Sequence, residues 1–79
     1  AIMIQQFKIS HYFKDYKLSD VATNDEPTVV GIVFINPNTL KTFTKKVPEY
    51  KFKEESYPIG ATFNVKKRWF KYKIIEQVH

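Results

Sequence analysis

Between Pro27 and the pair Asn36-Pro37 the chain reads TVVGIVFI, a continuous apolar run of strand length, rich in β-branched residues and closed on both sides by turn formers. It shows no polar face, so Thr28–Ile35 is expected to be a central strand covered on both sides. A central strand needs neighbours, and the remainder of the chain supplies them. Gly31 has no side chain to pack and weakens a strand, so it is expected to mark a bulge or bend where the sheet curls.

Period-two alternation runs through most of the other segments. Residues 3–13 place Met3, Phe7, Ile9 and Phe13 on one side, with Gln6, Lys8 and Ser10 mostly on the other, as in a half-buried strand. Residues 12–18 fit either a helical turn or a bent continuation of that strand, and residues 19–27 are rich enough in Asp, Asn and Pro to be a loop. At Asn36-Pro37-Asn38-Thr39 the chain is expected to reverse, with Pro37 fixing φ and Asn38 tolerating a left-handed conformation. The returning strand, residues 40–47, sets Lys41, Phe43, Lys45 and Val47 against Leu40, Thr42, Thr44 and Lys46. Pro48 ends it, and Tyr50 and Phe52 alternate with Lys51 and Lys53 in a short extended piece. After a connection over residues 54–60, Ala61, Phe63 and Val65 share one side of the next strand. The last strand, residues 69–78, places Phe70, Tyr72 and Ile74 opposite Trp69, Lys71 and Lys73, with the preceding turn near Lys67 and Arg68.

Five or so short strands in 79 residues indicate one mainly β domain over residues 1–79, a small antiparallel, curled five-stranded sheet or an OB/SH3-like barrel, with room for one short helical turn. An α+β sheet with a short helix is the competing architecture. A chain of this size has little core to work with, and its 16% aromatic content is the means to fill it, because rings bury the most area per residue. With no cysteine there is neither a disulfide framework nor a thiolate metal site, which points to a reducing compartment. No run approaches the roughly 18 apolar residues of a membrane span. A cytoplasmic protein with no membrane association is therefore expected.

Catalytic equipment is sparse. His11 and the C-terminal His79 lack metal-ligand spacing, and the neighbouring acids Asp25-Glu26 and Glu54-Glu55 point to opposite faces of an extended chain. Ser10, Ser19 and Ser56 have no evident base and orienting acid, and Gly31 and Gly60 lie too far apart to cradle a phosphate. No catalytic residue, metal or cofactor is expected, and the chain reads as a non-enzyme.

Charge is the remaining signal. Residues 1–40 carry a net −1, whereas residues 41–73 carry ten cations against Glu49, Glu54 and Glu55, a net +7. Within that half, Lys66-Lys67-Arg68-Trp69-Phe70-Lys71-Tyr72-Lys73 combines cations for phosphates with an indole for base stacking, as single-strand binders do. Alternation groups Lys67, Trp69, Lys71 and Lys73 on one face. The expected nucleic-acid-binding set is Lys66, Lys67, Arg68, Trp69, Lys71 and Lys73, extended by Lys41 and Lys45 if their strand lies alongside. Two plainer readings stand beside this one: lysines are common on solvated strand faces, and Trp69 can equally be a core residue. A protein-interaction or regulatory module, of a kind found in phage or other mobile elements, presenting an edge strand or aromatic patch without binding nucleic acid, is the alternative function.

Overall fold

The computed structural model describes the backbone of residues 3–16 and 28–79 and the side chains of residues 3–14 and 28–79; the loop expected over residues 19–27 lies outside the described residues. The protein is mainly β: β1 (Met3–Tyr16), β2 (Thr28–Ile35), β3 (Thr42–Pro48), β4 (Thr62–Arg68) and β5 (Lys71–Val78) form one five-stranded sheet in the order β3-β2-β1-β4-β5. Every neighbouring pair is antiparallel. The sheet curls into a half-barrel, and the described residues contain no helix beyond two 3-10 turns, Glu49–Lys51 and Glu54–Ser56. The alternative of a helical turn near residue 12 is corrected as far as Tyr16, because β1 pairs with β2 that far. The extended piece expected at residues 50–53 is instead largely the first 3-10 turn, which begins directly after Pro48. No helix among the described residues is long and apolar enough to cross a membrane.

The concave side holds the core. Phe7 and Ile9 of β1, Ile32 and Phe34 of β2, and Phe63 and Val65 of β4 are buried, while Phe43, Val47, Tyr72 and Ile74 lean in from the two edge strands. The rings form one connected chain. Tyr72 stacks on Phe43 at 4.5 Å and Phe43 stacks on Phe34 at 4.8 Å, with Phe7 set edge-on to both Phe43 and Tyr72. Phe34 then meets Phe63 edge-on, and Phe63 leads through Tyr57 and Phe52 to Tyr12. The β3–β4 connection has no regular strand, yet it supplies two links of this chain and so lies against the core. Each ring taken out of water contributes about 1.5–3 kcal/mol, and well-placed ring pairs add to that.

Curvature comes from bulges, though not from the glycine. Gly31 pairs regularly with Phe13 and Lys46, and the irregularities fall elsewhere: Ser10 is the extra residue of β1 between Ile9 and His11, and Ile75 is the extra residue of β5. The bulge at Ser10 shifts the alternation by one residue. Tyr12 therefore points to the core and Phe13, expected inside, turns to the convex face, where its ring covers Gly31. A Cβ on Gly31 would lie 2.4 Å from the ring tip of Phe13, so the glycine is there to admit the ring. The β2–β3 reversal falls where expected, with the buried Asn36 side chain accepting from the backbone of Asn38 and Thr39. Its left-handed residue, however, is Leu40 with φ 63° rather than Asn38.

Two expectations follow. Gly31→Val forces the Phe13 ring off the sheet and is expected to cost about 1–3 kcal/mol, with a smaller penalty in a Phe13→Ala background. Urea denaturation of the four members of that double-mutant cycle measures the difference. Tyr12 donates its hydroxyl to the Tyr57 carbonyl. Burial first and the nearby Glu54 second hold its pKa above the ordinary 10.0, partly offset by a backbone hydrogen bond from Ile59. The folded state therefore favours the neutral phenol, so this contribution is complete below pH 10 and is lost as pH climbs through the raised pKa. In Tyr12→Phe that alkaline loss is expected to diminish, with a pH-independent penalty of about 0.5–1.5 kcal/mol for the missing hydrogen bond. Thermal unfolding between pH 8 and 11 distinguishes the two.

Candidate nucleic-acid interface

The basic aromatic segment folds as a hairpin, which decides where each of its side chains goes. Arg68 pairs with Lys71, leaving Trp69 and Phe70 as a two-residue turn rather than the start of the last strand. Both rings stand in solvent, Trp69 at 81% and Phe70 at 94% exposure. Trp69 is thus a surface residue, and Phe70, expected on the core side with Tyr72 and Ile74, is corrected to the tip of the hairpin. Of the two turn residues only Trp69 has positive φ, 58°, at the first turn position, where a hairpin of this φ pattern favours glycine. A bulky residue held in the left-handed region is strained by about 1–2 kcal/mol.

Strand pairing also redistributes the cations. Lys66 lies opposite Lys73 and Arg68 opposite Lys71, so these four share the convex face as two successive like-charge rungs. None of the four has an acidic partner among the described residues. Like charges directly opposite on a sheet are destabilising, by about 0.2–1 kcal/mol per pair. Lys67 is corrected: it belongs to the concave side, paired with Tyr72, with its Nζ 5.5 Å from that ring's centroid. The expected face of Lys67, Trp69, Lys71 and Lys73 is therefore replaced by Lys66, Arg68, Lys71 and Lys73 leading to a tip of two rings. Lys45 and Lys41 part company. β3 is not a hydrogen-bonded neighbour of β5, but Lys45 lines a groove between these edges together with Phe43, Thr44, Tyr72, Lys73 and Ile74. Lys41 lies at the β2–β3 turn, outside that groove.

Elsewhere the chemistry is thin. The Ser10 hydroxyl lies 3.0 Å from Nδ1 of His11 on the exposed bulge of β1. Among the described residues, no group of His, Cys, Asp or Glu is placed to hold a metal ion. Phe70 is the exposed ring of this hairpin end that sequence reasoning missed. Its signal was the pair of cations on each side of the Trp-Phe dipeptide, which mark both strand ends of a hairpin as solvated. Compared with known proteins, the chain matches no family model, and no curated protein or solved structure matches it closely enough to inform a function.

Because the two rings are largely exposed and Trp69 is strained, Trp69→Gly is expected to raise the folding stability by roughly 1 kcal/mol. A higher urea midpoint at unchanged m-value is the confirming result.

Proposed function

We propose that this protein is a small, non-enzymatic β domain that binds single-stranded nucleic acid through the β4–β5 hairpin. The observation that carries this reading is the hairpin end, where Trp69 and Phe70 stand in solvent beside four cations that have no acidic partner among the described residues. A folding optimum would place Gly in the turn and opposite charges on the rungs; the chain does the reverse at both. In the proposed complex, phosphates lie along the Lys66–Lys73 and Arg68–Lys71 rungs and relieve their mutual repulsion, while bases stack on the two rings. Stacking is indifferent to base identity because every base has a π-face, so affinity is expected to depend little on sequence. Residues expected to contribute less are Lys67, held over Tyr72, and Lys41, away at the other hairpin. A cytoplasmic setting, where such ligands are found, suits this reading.

Trp69 is the single tryptophan, so its fluorescence reports the contact directly. Titration with a short oligothymidylate is expected to quench it, with log K falling against log salt at a slope of about −3 for four phosphate contacts. The double variant Trp69→Ala/Phe70→Ala, followed by anisotropy of a labelled oligonucleotide, is expected to lose roughly tenfold or more in affinity. Lys73→Glu turns one rung into an ion pair, and is expected to gain about 0.2–1 kcal/mol in stability while weakening binding. Absence of binding at about 20 mM salt, where counterion release is most favourable, sinks the reading.

A further inference from the structure

The sheet is a half-barrel whose two edges do not pair, and strand direction decides what can fill the gap between them. With every neighbour antiparallel in the order β3-β2-β1-β4-β5, the two edge strands β3 and β5 run parallel to each other. They do not pair. Instead Phe43 of β3 and Tyr72 of β5 stack across the gap at 4.5 Å with their planes 4° apart. Strands that meet through the ends of two side chains stand further apart than the roughly 4.8 Å of a hydrogen-bonded pair, and among the described residues each leaves a row of backbone donors and acceptors without a strand partner. One strand running antiparallel to both edges would pair with each and complete a six-stranded antiparallel barrel.

We infer that the gap between β3 and β5 binds an extended acidic peptide segment of a partner protein as that sixth strand. The lining sets the chemistry of the occupant. Phe43, Thr44, Lys45, Tyr72, Lys73 and Ile74 border the groove, with two cations and no acid among them. Side chains of the guest that point inward meet the Phe43–Tyr72 stack, already packed edge-on by Phe7, so small residues fit there. Those that point outward lie between Thr44 and Lys73, which pair with Val33 and Lys66 on the convex face, so carboxylates fit there beside Lys73. Lys45, which pairs with Ile32, is the cation on the inner side, exposed at the rim of the groove. Small and acidic residues in alternation are the pattern expected of the guest, since main-chain bonds give a β-augmented complex its affinity and alternate side chains its specificity.

The test uses a capped peptide of alternating Glu and Ala or Ser and the isotope-labelled full chain. At a peptide concentration about ten times the dissociation constant, amide exchange along both β3 and β5 is expected to slow by roughly tenfold, with cross-strand proton contacts to each edge. Lys73→Glu is expected to weaken binding several-fold. The double variant Trp69→Ala/Phe70→Ala, which removes exposed turn rings only, is expected to leave peptide binding unchanged, so failure of this inference and failure of the nucleic-acid reading are separable. Equal binding by the same peptide with alternate amides N-methylated, protection of only one edge, or no spectral change at millimolar peptide each overturns the inference.

Discussion

The stack of Phe43 on Tyr72 holds the two edges of the sheet in their curled arrangement. Along the ladder, Phe43 is level with Ile9 of β1 through Phe34, whereas Tyr72 is level with Met3 through Lys67. Their meeting across the concave side therefore requires strands tilted and staggered as in a barrel. From this contact the ring chain runs through Phe34 and Phe63 into Tyr57, Phe52 and Tyr12, tying the irregular β3–β4 connection to the sheet. A domain this small gains most of its stability from a few large side chains, and here they form one continuous body. Because rings rather than hydrogen bonds link the two edges, β3 and β5 have no strand partner on their outer sides among the described residues.

The aromatic residues divide by role. Those in the chain are buried or half-buried, Phe13 covers Gly31 on the convex face, and Trp69 and Phe70 stand apart at the hairpin end. At that end several local rules are broken together: a tryptophan takes a position suited to glycine, apolar rings meet water, and cations face cations across the ladder. Natural sequences depart from folding preferences in this way at places where something other than folding is selected. Residues 66–73 combine these departures in one short segment; elsewhere they occur singly, as the left-handed Leu40 and the bulges at Ser10 and Ile75.

The outline of the sheet was legible because alternation and the Thr28–Ile35 run carry it directly. The hairpin end was legible only as a basic aromatic segment. Its composition could be read, but its geometry depended on whether Trp69 begins a strand or forms a turn, and the Trp-Phe pair gives no turn signal. Placing the turn two residues earlier inverted the faces of Lys67 and Phe70. The same sensitivity affected Phe13, since a single extra residue at Ser10 moves every later side chain of β1 to the opposite face.

By itself, the sequence determined the number and approximate place of the strands, the β2–β3 reversal, the aromatic nature of the core and the basic segment near the end of the chain. These are set by local pattern, which requires only that apolar residues recur at the period of a strand. Tertiary structure alone decided the bulges at Ser10 and Ile75, the covering of Gly31 by Phe13, the sharing of one face by Lys66, Arg68, Lys71 and Lys73, and the gap between β3 and β5. Each of these depends on which residue of one strand lies opposite which residue of another, and that register is established only when the rings pack across the half-barrel.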